Sequence, residues 1–188
     1  MGTKSPKHTR VVEAAMAILQ ATPNRQLGIT VMNKALFYAD LCALRDRGKS
    51  ITRSGYIALP QGPMLNHYER ALVRDLDRHG LAEQVPDGWE KPLIVRCELK
   101  TFTELTDEEV GIAQFVARKI HGKTATWVSE YSHENTAWQR SFRAGAGTKI
   151  DLMIALQQVV EDDAWIEAED DATAAALKAA ERDHGRPF

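Results

Sequence analysis

The chain has 188 residues, 44% of them hydrophobic and 27% charged, with a formal net charge of −2. These values sit near the averages for folded globular proteins and exclude a low-complexity or intrinsically disordered chain. No stretch approaches the roughly 18 consecutive apolar residues of a membrane span, and the N-terminus has no apolar run resembling a signal peptide. Two cysteines, Cys42 and Cys97, lie far apart within apolar patterns, which fits a reducing compartment, so the expected location is the cytoplasm. The charge is uneven: residues 151–188 hold ten acids and three bases, leaving 16 acids and 21 bases in the body. Such asymmetry marks an acidic C-terminal arm on a basic domain.

In chain order, Val11, Val12, Ala15, Ile18 and Leu19 recur at helical spacing and predict a helix over 8–21, stopped at Thr22-Pro23-Asn24. A second helix is expected from Thr30, read as its N-cap, to Gly48, with Met32, Ala35, Leu36, Ala39 and Ala43 on one face. Residues 48–63 then carry Gly55, Pro60, Gly62 and Pro63 and read as a short strand or extended loop. A third helix is expected from Met64 to His79, burying Leu65, Tyr68, Leu72 and Leu76. The runs 81–85 and 92–99, separated by Pro86-Asp87-Gly88, predict a β-hairpin.

Thr106-Asp107-Glu108-Glu109 is a capping box, with a Thr hydroxyl and a Glu carboxylate three residues apart, and it starts a helix through Ile120. Helices are further expected at 124–131 and 149–160, with a break at Ser132-His133-Glu134-Asn135. The segment 161–184 is Ala-rich and acidic and is also expected to be helical, as a C-terminal helical arm over 161–188. The organisation expected is a single mainly α helical bundle with a small β-hairpin or short-strand element over residues 8–160, followed by an acidic arm at 161–188.

No His pairs with another His or Cys at ligand spacing, so neither a metal nor an organic cofactor is expected. His79 and His121 fall at helix C-termini, where a cationic ring suits the negative pole. Arg143-Ala144-Gly145-Ala146-Gly147-Thr148-Lys149 lacks the spacing and preceding strand of a phosphate loop and reads as a flexible connection. An acid–base pair of His133 with Glu134 or Asp40 would lack a nucleophile, and the chain is not expected to be an enzyme. His67, Arg70, Arg74 and Arg78 form a stripe on the third helix. With the hairpin behind it, that stripe describes a winged-helix-like DNA-binding regulator, the alternative reading. Glu69, Asp75 and Asp77 balance the arginines, so nucleic acid is not the partner expected.

Five pieces then fall in a recognisable order. They are Leu36-Phe37-Tyr38-Ala39-Asp40; Gly48-Lys49-Ser50-Ile51-Thr52; Tyr56-Ile57-Ala58 followed by Gly62-Pro63; Leu105-Thr106 with Glu109; and Ser132-His133-Glu134 with Trp138. In this order they resemble the Panacea domain of SocA-like and phage-associated GepA-like antitoxins. The chain departs from the pattern at Met64 and in the acidic arm. The resemblance implies a mainly helical fold with a small β element. It also implies an antitoxin that neutralises a cognate toxin encoded by a neighbouring gene, through direct contact or by delivery to a Clp-type protease.

The partner-binding candidates are Tyr38, Asp40, Tyr56, Gln61, Gly62, Pro63, His133, Glu134 and Trp138. Tyr56, Gln61, His133 and Glu134 read as interface, because amphipathic rings and polar groups on loops suit a partner surface. Tyr38, Asp40 and Trp138 read as core or loop support. The 56–63 loop and the 133–134 turn are expected to lie side by side.

Overall fold

The structure is a computed structural model and describes residues 8–86 and 91–165. Helix α1 (Arg10–Ala21) is capped by the Thr9 hydroxyl, which accepts from the Val12 amide. A two-residue strand β1 (Gln26–Leu27) leads into α2 (Ile29–Arg47), which ends on Gly48 at φ 69. Gly48 takes the left-handed conformation that favours glycine, and its N–H closes on the Leu44 carbonyl. The N-cap of α2 is Gly28, with no side-chain hydrogen bond, so Thr30 lies inside the helix rather than capping it.

Helix α2 is the axis of the molecule. Its residues from Val31 to Ala43 are all buried, because α1, α4 (Asp107–Ile120), α5 (Ala125–His133), α7 (Leu152–Glu161) and a strand all pack around it. A helix enclosed on every side has no polar face, which is why its apolar residues are not confined to a single stripe.

After α2 the chain forms a hairpin of β2 (Tyr56–Leu59) and β3 (Gly62–Leu65), with Tyr56 opposite Leu65 and Leu59 opposite Gly62. Met64 and Leu65, expected to open the third helix, are therefore strand residues. The Leu65 N–H donates to Asn33 Oδ1 of α2 at 3.0 Å. That non-local pairing overrides the local helical period. The helix starts only at Glu69, as a π-helical turn (Glu69–Arg74) running into α3 (Asp75–Arg78), and it buries Leu72 and Leu76. Strands β4 (Ala82–Gln84) and β5 (Leu93–Val95) make the expected hairpin, and β5 also pairs with β1, giving the sheet order β1-β5-β4.

The capping box at Thr106 and Glu109 is formed as expected. Residues 132–135 do not make a loop: Ser132 and His133 finish α5, and Asn135 caps α6 (Thr136–Ala144) by accepting from the Ala137 and Trp138 amides. The 143–149 connection is not free either. Ala58 N–H donates to Thr148 O at 2.9 Å and Gly147 N–H to Ala58 O at 2.8 Å, which adds this segment to the outer edge of β2.

Trp165 is buried against the ring of Tyr38 at 4.5 Å, so the packed body extends at least to residue 165. The acidic arm beyond it lies outside the described residues. No helix among the described residues is long and apolar enough to cross a membrane.

Candidate functional site

The motif residues of α2 face inward and join the surrounding elements to one another. Asp40 is fully buried. Its carboxylate accepts from the Thr52 N–H at 2.8 Å, from the Thr52 hydroxyl, and from the Tyr56 hydroxyl at 2.9 Å. Burial pushes its pKa up to about 6, and the Thr52 and Tyr56 hydrogen bonds oppose that rise. The α2 helix, the Gly48–Thr52 turn and the start of β2 are thus tied at one carboxylate. Tyr56 has no exposed surface and packs edge-on to Phe37 at 5.2 Å.

Tyr38 is buried as well, and its hydroxyl donates to Gln158 Oε1 of α7 at 3.2 Å. Burial of these two phenols raises their pKa values well above the ordinary range. Tyr38, Asp40 and Tyr56 are therefore interior residues in this structure, with no side-chain surface to offer a partner.

A second junction joins the hairpin tip to the end of α5. Gly62, at φ 101, lies against the Ser132 hydroxyl and the Lys34 stem, and any Cβ there would collide with both. Pro63 is buried, and its carbonyl accepts from Lys34 Nζ at 3.0 Å. Trp138 is nearly buried. Its indole N–H donates to Leu59 O at 3.1 Å, and its ring stacks on His133 at 4.1 Å between centroids. The hairpin tip and the end of α5 do lie together, and the contact is made by glycine, lysine and serine packing rather than by Tyr56.

Lys34 is the residue of this junction that sequence reading missed. It is wholly enclosed, and burial lowers its pKa to about 7. No carboxylate pairs with it among the described residues. Burial, then the charge of Lys34, lowers the pKa of His133, whose Nε2 is buried without a hydrogen-bond partner. His79 also departs from expectation: burial, then the charge of His8, whose ring lies 4.7 Å away, lowers its pKa.

In front of this junction opens a groove of about 1020 Å³. One wall is α5, with Thr126, Ser129 and His133, and Lys123 just before it. The other walls come from β1 and the start of α2, Ile94 of β5 with Val85 and Pro92 just beyond the strand ends, and the tip residues Pro60 and Gln61. Gln61 is exposed, and the Thr30 hydroxyl reaches its side-chain oxygen at 3.4 Å. Glu134 is exposed at the far end of α5. Of the nine candidates, Gln61 and His133 line the groove, Glu134 lines a separate small cleft with Tyr131 and Gln157, and Gly62, Pro63 and Trp138 fix the hairpin against α2 and α5.

The family model described as "Antitoxin SocA-like, Panacea domain" matches residues 32–139. The chain belongs to this family. No curated protein and no solved structure matches it. The matched span runs from α2 through the hairpin to Trp138 in α6, so it holds both buried junctions and most of the groove's walls. Within a Panacea domain, the shared motif residues of this chain are chiefly the joints that fix the hairpin on α2 and α5. Apart from His133, the groove residues are not among the motif residues that resemble the family.

Proposed function

We propose that this Panacea-domain protein is an antitoxin that neutralises a cognate protein toxin, encoded by a neighbouring gene, by holding it in the groove between α5, the hairpin tip and the β1-β5-β4 sheet. The observation that carries the proposal is the groove itself. Gln61, beside the Gly62-Pro63 motif, and the motif residue His133, far apart in sequence, share its lining with Leu27, Val85, Pro92 and Ile94. A concave surface lined by apolar and polar residues in about equal number suits a protruding segment of a partner.

Binding, not catalysis, is the role this geometry supports. Asp40 is buried under three donors, and the ring of His133 is held flat against Trp138 with no nucleophile paired to it among the described residues. Occlusion of the toxin is the mode the groove supports, since an occupant of that space is covered on several sides.

The test is co-expression. The neighbouring gene product alone should arrest growth, and this chain should restore it, with the toxin persisting at full level in the complex. Thr126 is exposed on the groove wall, so Thr126→Arg should keep the fold and abolish rescue. Rescue with loss of the toxin would replace occlusion by delivery to a Clp-type protease. A neighbouring product that is harmless alone would contradict the antitoxin reading.

A further inference from the structure

Two basic motifs stand apart from the groove: the stripe His67, Arg70, Arg74 and Arg78, and the glycine-rich run Arg143–Lys149. Counted along the sequence, the stripe is neutralised by its own acids. In the structure one of those acids is drawn away from the stripe, one is taken up by the last arginine of the stripe, and Glu69 borders the cleft. Asp75 pairs with Arg78 at 2.8 Å, and Asp77 pairs with Arg96 at 3.3 Å. Among the described residues no ion pair involves Arg70, Arg74, Arg143 or Lys149, and all four are exposed.

The fold brings the two motifs to one face. Arg70 and Arg74 border a cleft of about 420 Å³ whose opposite wall is Ile57 and Leu59 of β2. Lys149 is the antiparallel bridge partner of Ile57. Residues directly opposite across such a pair project to the same face, so Lys149 emerges on the side of Ile57 that lines the cleft. Arginines therefore stand on one wall and a lysine on the other, with Glu69 the acid among the lining residues. The cleft shares no lining residue with the groove.

The topology supplies the second observation. The order α1–β1–α2, then the helical segment 69–78, then β4–β5, with the sheet arranged β1-β5-β4, is that of a winged helix. The segment 69–78 occupies the recognition-helix place and β4–β5 the wing. The hairpin β2–β3 replaces the short turn that ordinarily joins the second and third helices, and the segment bridged to its outer edge supplies Lys149.

The geometry points to a duplex DNA-binding surface in which Arg70, Arg74 and Lys149 contact phosphates. Separated cations on two elements, around a helix followed by a two-stranded ribbon, match the repeating charge of a duplex backbone. They match an isolated carboxylate less well.

The probe is a fluorescein-labelled duplex of about 30 base pairs, titrated with the full chain at roughly 50 to 200 mM NaCl and read by anisotropy. Three phosphate contacts predict that log Kd rises with log salt at a slope of about 3. Arg70→Ala with Arg74→Ala should lower that slope by about 2, and Lys149→Ala by about 1. The doubly conservative Arg70→Lys/Arg74→Lys chain should retain binding. All these chains should melt at the wild-type temperature and still neutralise the toxin, because the positions are exposed and outside the groove. Absence of binding at the lowest salt would overturn the proposal. So would an undiminished slope in the double alanine chain. Tighter binding of poly-glutamate than of the duplex would also overturn it and assign the face to an acidic polypeptide.

Discussion

Replacing Lys34 by Met isolates the least expected feature of the interior. The amine is enclosed at the junction of α2, the hairpin and α5, and its one hydrogen bond in the structure goes to the Pro63 carbonyl at 3.0 Å. Burial lowers its pKa from 10.5 to about 7. In the unfolded chain the amine stays protonated to about pH 10, whereas in the folded chain it loses its proton above about 7. Between those values the unfolded state binds the additional proton, so the contribution of Lys34 to stability rises with pH. Below about pH 7 both states are charged, and the buried ammonium imposes its full cost.

Two pH units at about 1.4 kcal/mol each give roughly 2–3 kcal/mol between pH 7 and pH 9. Met fills the volume of the lysine stem and titrates nowhere, but it leaves the Pro63 carbonyl unpaired, at a cost of about 1–2 kcal/mol. Urea unfolding of both chains at pH 6 and pH 9 reads the difference. The stability of Lys34→Met relative to wild type should improve by about 2–3 kcal/mol on going from pH 9 to pH 6. Parallel pH profiles would show that the amine keeps its ordinary pKa and would refute the reasoning.

Two further substitutions test the interior joints. Tyr56→Ala removes a fully buried ring and an Asp40 donor and should cost about 3–5 kcal/mol, whereas Tyr56→Phe should cost about 1 kcal/mol. A Tyr56→Ala chain of wild-type stability in a thermal melt would contradict the burial. Glu13, wholly buried on α1, accepts from the Thr103, Glu104 and Leu105 amides and from the Thr103 hydroxyl. Glu13→Ala should cost about 3 kcal/mol or more, and a loss below about 1 kcal/mol would contradict the role of Glu13 in fixing that loop.

The features legible in the sequence were those with local causes. The capping box at Thr106 and Glu109 needs only residues three apart, and it is formed. The 81–99 hairpin announced itself through two β-like runs and a turn between them. The family motifs were legible as well, and they located both buried junctions.

What escaped depends on non-local pairing. Strand β1 has two residues and exists because β5 lies beside it. Met64 and Leu65 follow a helical pattern but pair back across Gly62. The 143–149 run looks flexible until β2 supplies its partners.

The candidate site was half legible for the same reason. An aromatic residue at the start of a strand looks the same whether it faces outward or, as Tyr56 does, donates to a buried Asp40. Lys34 gave one signal, a charge inside the apolar run of α2, but its enclosure requires Gly62 and Ser132 to close over it.

The central claim is that the groove receives the toxin. Amide hydrogen exchange, measured on the chain alone and in complex with the purified toxin, tests it most directly. Protection on binding should concentrate at residues 26–31, 59–62 and 123–133, which surround the groove. Protection confined to another surface, such as the exposed Met153 and Val160 of α7, would contradict the account even if the two proteins bind tightly.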